Sequence, residues 1–386
     1  MKLYKVLYII ILHLIVVSTV IGQSSFFQDI RFKGQLSGWI IPDPSNSFRT
    51  FSGIRYIPEF YAKKGLSEKL SLDTEISFNS FGSAMIHSFD SIITDGRIKP
   101  YRMWLRLSST RFELRAGLQK INFGSANFLR PLMWFDRIDP RDPLQLTDGV
   151  YALLARYYFQ NNANIWLWGL YGNKDTKGWE IIPSENKKIE YGGRFQTPFL
   201  TGEIGLSYHH RKGDLSSTEL PFVISSTNIF SENRMGFDGK WDLGIGLWFE
   251  SSITHQNFDI SPLVFRRSIN IGADYTFGLG NGITLMTEYF NYGASEKIFS
   301  EAESLNFSIL SLNYPLGLLD RISLMIYYNW KNKDWYRFIS LNRTYDSWSF
   351  YLIGFWNPDK FQIYNNNQDY SFFTGKGFQL MAVFNH

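Results

Sequence analysis

From residue 28 onward the chain repeats one pattern: stretches of about ten residues in which apolar and polar side chains alternate with period two, as in strands with one apolar and one polar face. In 70–79, Leu70, Leu72, Thr74, Ile76 and Phe78 fall on one side, and Ser71, Asp73, Glu75, Ser77 and Asn79 on the other. In 101–107, Tyr101, Met103, Leu105 and Leu107 oppose Arg102, Trp104 and Arg106. In 112–119, Phe112, Leu114, Ala116 and Leu118 oppose Glu113, Arg115, Gly117 and Gln119, so the two stretches make a hairpin around 108–110. The same count predicts eighteen strands, near 28–41, 51–63, 69–81, 97–108, 111–123, 149–160, 163–173, 188–197, 200–211, 232–242, 244–256, 265–277, 282–292, 304–314, 320–331, 335–342, 347–357 and 375–385.

The links between these strands alternate in length. Short ones fall at 64–68, 108–110, 161–162, 198–199, 242–243, 278–281, 315–319 and 343–346. Long ones fall at 42–50, 82–96, 124–148, 174–187, 212–231, 257–264, 293–303 and 358–374, with 332–334 out of step. This two-ended layout predicts an all-β fold, a transmembrane antiparallel β-barrel of 16–18 strands with no soluble domain. An even count puts both termini at the short-turn end. Lipid offers no hydrogen bonds to an open edge, so the last strand must pair with the first. A soluble sandwich or propeller also alternates, but it packs its inner face, and here that face is charged. Inward candidates are Arg31, Lys33, Arg55, Glu59, Asp73, Glu75, Arg102, Arg106, Glu113, Arg115, Arg156, Glu190, Arg194, Glu203, Asp238, Lys240, Glu250, Asp274 and Glu288. Girdle candidates are Tyr56, Phe60, Tyr101, Tyr157, Phe159, Trp241, Phe277, Tyr328, Trp330, Trp356 and Phe384.

At the N-terminus, Lys2 and Lys5 precede an apolar run over 6–17 and a polar step at Ser18 and Thr19, the layout of a secretory signal peptide over 1–22 cleaved after Gly22. The alternative, a membrane anchor, needs about 20 apolar residues, and this run carries Tyr8 and His13. The expected barrel occupies 23–386, in the outer membrane of a Gram-negative bacterium, and the short lead before the first strand leaves no room for a plug domain. With 386 residues and no cysteine, the chain excludes disulfide scaffolds, thiolate zinc sites, iron–sulfur clusters and cysteine nucleophiles. Residues 1–22 hold two lysines and no acid, so the remainder carries 37 bases against 35 acids. So even a balance announces no nucleic-acid partner. Aromatics make up 18% of the chain, as interfacial girdles require. At the other end, Phe378, Leu380, Ala382 and Phe384 share one face, resembling the terminal signal read by the barrel-insertion machinery, although Asn385 and His386 follow where an aromatic is expected.

A barrel of this size is wide enough to enclose a water-filled channel, so the expected function is passage of small polar or anionic solutes such as saccharides. The link after Gly124 is the densest polar and aromatic cluster, with Arg130, Asp136, Arg137, Asp139, Arg141, Asp142 and Asp148 beside Phe128, Trp134 and Phe135. Pro131, Pro140 and Pro143 stiffen it. Either it folds into the lumen as a constriction, Trp134 and Phe135 on the wall and its charges facing the pore, or it is an external loop closed by Arg–Asp pairs. Beside it, Arg102, Arg106, Arg115 and Arg156, with Glu113, are expected to line the lumen as a basic wall that Asp73 and Glu75 partly neutralise.

Residues 115–160 resemble the strand–loop–strand of outer-membrane barrels of the alginate-export type, through Arg115, Gly117, Gln119, Gly124, Arg130, Asp139, Pro140, Asp142 and Asp148. The resemblance implies a polysaccharide or anionic-solute channel with a constriction and an arginine-rich lumen; the inward charges here are nearly balanced in sign. Two other functions fit the composition: a surface adhesin or structural barrel, with loops such as 212–231 and the Asn-rich 365–369 as contacts, and a membrane-embedded hydrolase. The second needs a nucleophile, a base and an orienting group. Beyond the leader there are five histidines, at 87, 209, 210, 255 and 386, and no GxSxG. His209 and His210, next to Arg211 and Lys212, read as a wet rim. No catalytic group, cofactor or metal site is expected.

Overall fold

Backbone amides in a bilayer have no water to bind, so strands of this kind must be paired along both edges. The computed structural model describes residues 27, 29–43, 49–88, 91–217, 229–257, 262–300, 303–358 and 373–386; the expected leader and 365–369 lie outside the described residues. Eighteen strands form one sheet: β1 (Asp29–Asp43), β2 (Arg49–Ser67), β3 (Leu70–Ser88), β4 (Ser91–Ser109), β5 (Phe112–Gln119), β6 (Val150–Tyr158), β7 (Asn164–Leu170), β8 (Glu190–Phe199), β9 (Gly202–Asp214), β10 (Ile229–Asp242), β11 (Gly246–Asn257), β12 (Phe265–Phe277), β13 (Ile283–Ser295), β14 (Glu303–Pro315), β15 (Asp320–Asn329), β16 (Asp334–Thr344), β17 (Trp348–Trp356) and β18 (Lys376–Asn385). Each pairs antiparallel with its neighbours in sequence, and β1 closes the ring on β18, Gln35 opposite Asn385 and Ile40 opposite Leu380. Apart from a 3₁₀ turn at Leu215–Ser217, no helix occurs among the described residues.

The alternation of short and long links holds around the ring, with two corrections. The expected long link at 82–96 is strand instead: β3 and β4 are 19 residues each and run on to Ser88 and Ser91. At roughly 3.3 Å per residue such strands reach about 60 Å, more than twice the apolar band of about 25 Å. Together with β2 they form a wall that stands above the rest of the barrel at the long-link end. Conversely, the fifth strand ends early, at Gln119, and 120–123 leave the sheet.

Parity decides what faces lipid. Met103 and Leu105 are 41% and 49% exposed on the outside, while Arg102 and Trp104 are buried on the lumen side. Higher on β4 the strict alternation breaks. Ser77 lies opposite Arg102 but Phe78 lies opposite Pro100, so Tyr101 is an extra residue in a bulge. Above it the lumen-facing set switches from even to odd numbers. Arg97 and Lys99, opposite Phe81 and Asn79, therefore share the face of Arg102.

The apolar core sits inside the ring. One cluster joins Trp39, Phe81, Phe290, Phe307, Tyr327 and Phe338 of the wall to Phe128 and Leu129 of the link after β5. A second joins Trp168 and Leu170 to Ile121, Phe123, Leu132, Trp134 and Phe135 of that link. Outside, aromatic pairs mark two levels: Tyr157 with Phe159 and Tyr275 with Phe277 at the short-turn end, Tyr328 with Trp330 and Trp335 at the other. Tyr56 is covered rather than open to lipid, its hydroxyl 3.1 Å from Nε2 of His386.

Leu153, 52% exposed, lies four residues above Tyr157, about 13 Å along the strand and near the middle of the apolar band. Leu153→Arg is expected to destabilise the barrel by about 2–4 kcal/mol, read from urea unfolding in lipid vesicles; a change near zero would mean that this face does not meet hydrocarbon.

Candidate functional site

The link 120–149 leaves β5, crosses the lumen and returns at β6. Its far contacts are on β10–β13, on the opposite side of the ring. Gly124 makes the turn possible: its φ is +104°, and a Cβ there would lie 2.4 Å from Oε2 of Glu250. Beyond it, Ala126 and Leu132 donate their backbone N–H groups to Glu250 at 2.8 and 2.6 Å. Glu288 accepts from the N–H groups of Asn127 at 2.7 Å, Phe128 at 3.2 Å and Leu129 at 3.3 Å. Trp248 Nε1 and Asn270 Nδ2 donate to the same carboxylate at 3.1 and 2.8 Å. Ser125 donates to Asp238 at 3.0 Å, and Trp134 Nε1 to Ser252 at 3.1 Å. A structureless segment has no ladder for its amides; two lumen carboxylates take the place of one.

The charges of this link were expected either to face the pore or to close the loop through Arg–Asp pairs, and most are paired within it. Arg130 donates to Asp136 at 2.7 Å, to Asn122 at 2.8 Å and to the carbonyl of Phe123 at 2.8 Å. Arg141 grips Asp139 at 2.7 and 2.9 Å. All four of these charged residues are buried, because inside a filled lumen a charge is held only against a partner. Asp142 accepts the N–H of Leu144 at 3.0 Å, and burial pushes its carboxyl up despite that bond and nearby Arg55. Trp134 and Phe135 are buried, Phe135 edge-on to Trp168 at 5.4 Å. Asp148 pairs with Lys99 at 2.6 Å.

A second link, 171–189, clamps the first. Gly178 has φ +48°, and a Cβ there would lie 1.8 Å from the carbonyl of Met133. Trp179 Nε1 donates to the carbonyl of Arg130 at 2.7 Å, and Arg137 Nε to that of Gly178 at 3.0 Å. The clamp is fixed to the wall through Glu180, which meets Arg234 at 2.7 Å, Lys177 at 3.3 Å and Arg211 at 3.4 Å. Burial alone would raise the Glu180 carboxyl, but Arg211, Lys177 and Arg234 outweigh it and hold it below the usual value.

The expected basic wall is present in position and largely neutralised. Arg106 makes a two-pronged contact with Asp73 and lies 3.6 Å from Glu113. Glu113 is shared with Arg115 at 2.9 Å and Arg156 at 3.6 Å. Arg102 is used differently: it donates to the carbonyls of Tyr101 at 2.6 Å and Thr147 at 3.0 Å, tying the end of the plug to β4. His209 is no rim residue. It is buried, with Trp168 Nε1 donating to its Nδ1 at 3.2 Å, so its Nε2 carries the proton toward Glu190 at 3.2 Å. Both nitrogens are engaged, which leaves none to serve as a base toward a nucleophile. His210 Nδ1 meets Asn233 at 2.9 Å. Among the described residues no three His, Asp or Glu come together as metal ligands.

Sequence reasoning placed Glu250 and Glu288 on the inner face but missed their role as anchors. A signal existed. The cross-strand neighbours of Glu288 are Gly272 and Ile309, and those of Glu250 are Asp238 and Asn270, so neither carboxylate has a cation in its own sheet row. An inward carboxylate with no charge partner in the wall must find donors elsewhere.

Plug, clamp and the tall β2–β4 wall together enclose a cavity of about 670 Å³ at the long-link end. Arg55, Phe81, Arg97, Lys99 and Tyr101 line it from the wall, Arg137 and Asp142 from the plug, and Lys174 and Asp175 from the clamp.

No family profile and no curated protein matches this sequence. Solved structures do match in fold. OccAB1 of Acinetobacter baumannii superposes with a TM-score of 0.55 at 10% identity, over 94% of this chain and 97% of that one. OmpT, an outer membrane protein of Vibrio cholerae, folded in vitro and in its trimer form, gives 0.53 at 12% identity, over 93% and 99%. OccAB4 of Acinetobacter baumannii gives 0.53 at 10%, over 93% and 98%. The fold is a closed 18-stranded barrel like those of these outer-membrane proteins. At such identities the likeness is one of fold, and the residues of the plug must speak for themselves.

Glu288→Ala would strand the buried backbone N–H groups of Phe128 and Leu129, at a cost of about 1–3 kcal/mol each, and release the part-buried one of Asn127. The expected result is a plug that proteases cut between 124 and 148 while the barrel remains folded, seen by limited proteolysis and mass spectrometry. Glu288→Gln, which keeps one acceptor oxygen, is expected to be intermediate. Because the Glu180 carboxyl is depressed, its stabilisation is present at neutral pH and is lost as pH falls through that lowered value. Glu180→Gln should therefore lower the melting temperature at neutral pH and leave it near wild type in strong acid, measured by circular dichroism.

Proposed function

We propose that this chain is an outer-membrane channel for small polar or anionic solutes, with 124–148 as its constriction. The observation that carries this reading is the plug itself: a closed 18-stranded ring, wide enough for water, has its lumen crossed by a segment pinned to the far wall by Glu250 and Glu288. A barrel serving only as a surface scaffold has no need for a shaped obstruction held at that depth. The low-identity porin-like neighbours support the same reading through fold alone.

In this reading Arg130 with Asp136 and Arg141 with Asp139 are the stiffeners that keep the constriction in one shape, Trp134 anchors it to the wall, and Arg137 and Asp142 face the solute. Arg102, Arg106, Glu113, Arg115 and Arg156 line the adjoining wall. The resemblance of 115–160 to alginate-export-type barrels supports saccharides or their acidic derivatives as solutes. The leader at 1–22 directs export, and the last strand is recognised for insertion into the outer membrane.

The test is single-channel recording in planar bilayers. Deleting 128–143 is expected to raise unit conductance several-fold, since conductance follows the narrowest cross-section. If the purified barrel inserts but forms no channel, or if the deletion leaves conductance unchanged, the channel reading fails.

A further inference from the structure

The cavity above the plug carries more positive charge than its own carboxylates use. Arg55, Phe81 and Arg97 form one row across β2, β3 and β4. The two guanidinium carbons lie 5.3 and 5.6 Å from the centre of the Phe81 ring, and Arg55 is also 5.3 Å from that of Trp39. Nε of Arg55 is buried with no hydrogen-bond partner. Opposite, Arg137 spends Nε on Gly178 and one terminal nitrogen on Thr176, 3.1 Å away, and the remainder of its fork lines the cavity. Among the described residues, Arg55, Arg97, Arg137 and Lys174 make no ion pair, whereas Lys99 is paired with Asp148. Asp142 and Asp175 are the carboxylates left to face these four cations.

Such a cavity is unlike the rest of the lumen, where nearly every arginine is matched. Glu113 is shared among three, Asp73 takes Arg106, Asp238 takes Arg194, and Glu232 takes Arg211 and Arg234. Guanidinium forks held by stacking on rings, with donors unspent, are arranged for an acceptor from outside the chain.

We infer that this cavity is a binding site for a small anionic solute, a carboxylate or a phosphate, held between Arg55 and Arg97 on the wall and Arg137 on the plug. The inference deepens the channel reading by naming the class of solute that stops above the constriction; it rests on that reading only for transit, since binding can be measured without conduction. A planar or ring-shaped body with one or two negative charges fits a space whose wall carries Phe81 between Arg55 and Arg97 and whose plug side carries Arg137. Neutral sugars lack the charge that these forks are placed to meet.

The experiment is isothermal titration of the full barrel in detergent with glucuronate, inorganic phosphate and glucose as probes. Glucuronate or phosphate is expected to bind and glucose to give no heat; which of the two anions binds tighter assigns carboxylate or phosphate as the preferred group. Arg55→Gln with Arg97→Gln should weaken the anion at least about tenfold, the scale of lost charge-assisted hydrogen bonds. Asp142→Asn, which removes a competing carboxylate, should tighten it. Arg97 is exposed, so Arg97→Gln alone decides the matter if the double variant loses its fold by circular dichroism. Equal binding of glucuronate and glucose, no binding of either anion, or unchanged affinity in Arg97→Gln and the double variant would overturn the site. Parallel recordings separate the two readings: anion heat without conductance sinks the channel and keeps the site, and conductance with no anion heat does the reverse.

Discussion

Every level of this structure answers one constraint, that a backbone amide removed from water must find an acceptor. In the wall the answer is the ladder, and it is complete only because β1 meets β18. In the lumen the same constraint returns for a segment with no strand to pair with. There Glu250 and Glu288 accept from the N–H groups of Ala126, Asn127, Phe128, Leu129 and Leu132. The ladder alone would give a ring around open water; the carboxylates turn the ring into a barrel with a defined interior.

Filling the lumen changes what charge can do there. In a wet pore an arginine stands against water at little cost, but where the plug and the clamp fill the interior that water is gone, and charges appear in matched groups such as Arg130 with Asp136 or Arg211 with Glu232. Above the plug, where the tall wall and the clamp leave space, Lys99 still pairs with Asp148 but, among the described residues, Arg55, Arg97, Arg137 and Lys174 make no ion pair. These unpaired cations line the open cavity. In the packed part of the interior, then, a charge is held against a partner, whereas the open cavity also holds cations that have none.

The barrel was legible in the sequence because period two and the alternation of link lengths are set by lipid on one side and by turn economy on the other, and both act locally. Leu70 to Asn79 announces its two faces without reference to any other strand. The link 124–148 was legible as a dense cluster of charges and aromatics, with its place inside or outside the lumen, and the roles of Trp134 and Phe135, left open between alternatives. Its internal Arg–Asp pairing, as of Arg130 with Asp136, was legible as one of two alternatives; its anchoring was not, because the link from Ala126 to Glu250 spans over a hundred residues and is invisible to any window of the chain. The height of β3 and β4 was misread for a smaller reason. Gly82, Ser83, Asp95 and Gly96 have loop composition, yet strands above the membrane need no apolar face, and pairing with each other suffices to hold them.

The bulge at Tyr101 shows how one local irregularity sets which side chains a strand presents on each face. With strict alternation through 101, Arg97 and Lys99 would fall on the lipid face of β4, opposite to Arg102, and a cation held against hydrocarbon is costly. One extra residue rotates the upper half of the strand, so that Arg97 joins Arg55 on either side of Phe81 and Lys99 reaches Asp148. The lower half keeps Met103 and Leu105 toward lipid. The bulge thus lets a single strand serve two environments, with the membrane below it and a charged chamber above, and the chamber lies directly over the end of the plug that Arg102 holds through Thr147. Any movement of the plug that shifts Thr147 must also disturb Arg102, one residue from the bulge, so the chamber and the end of the plug are mechanically joined.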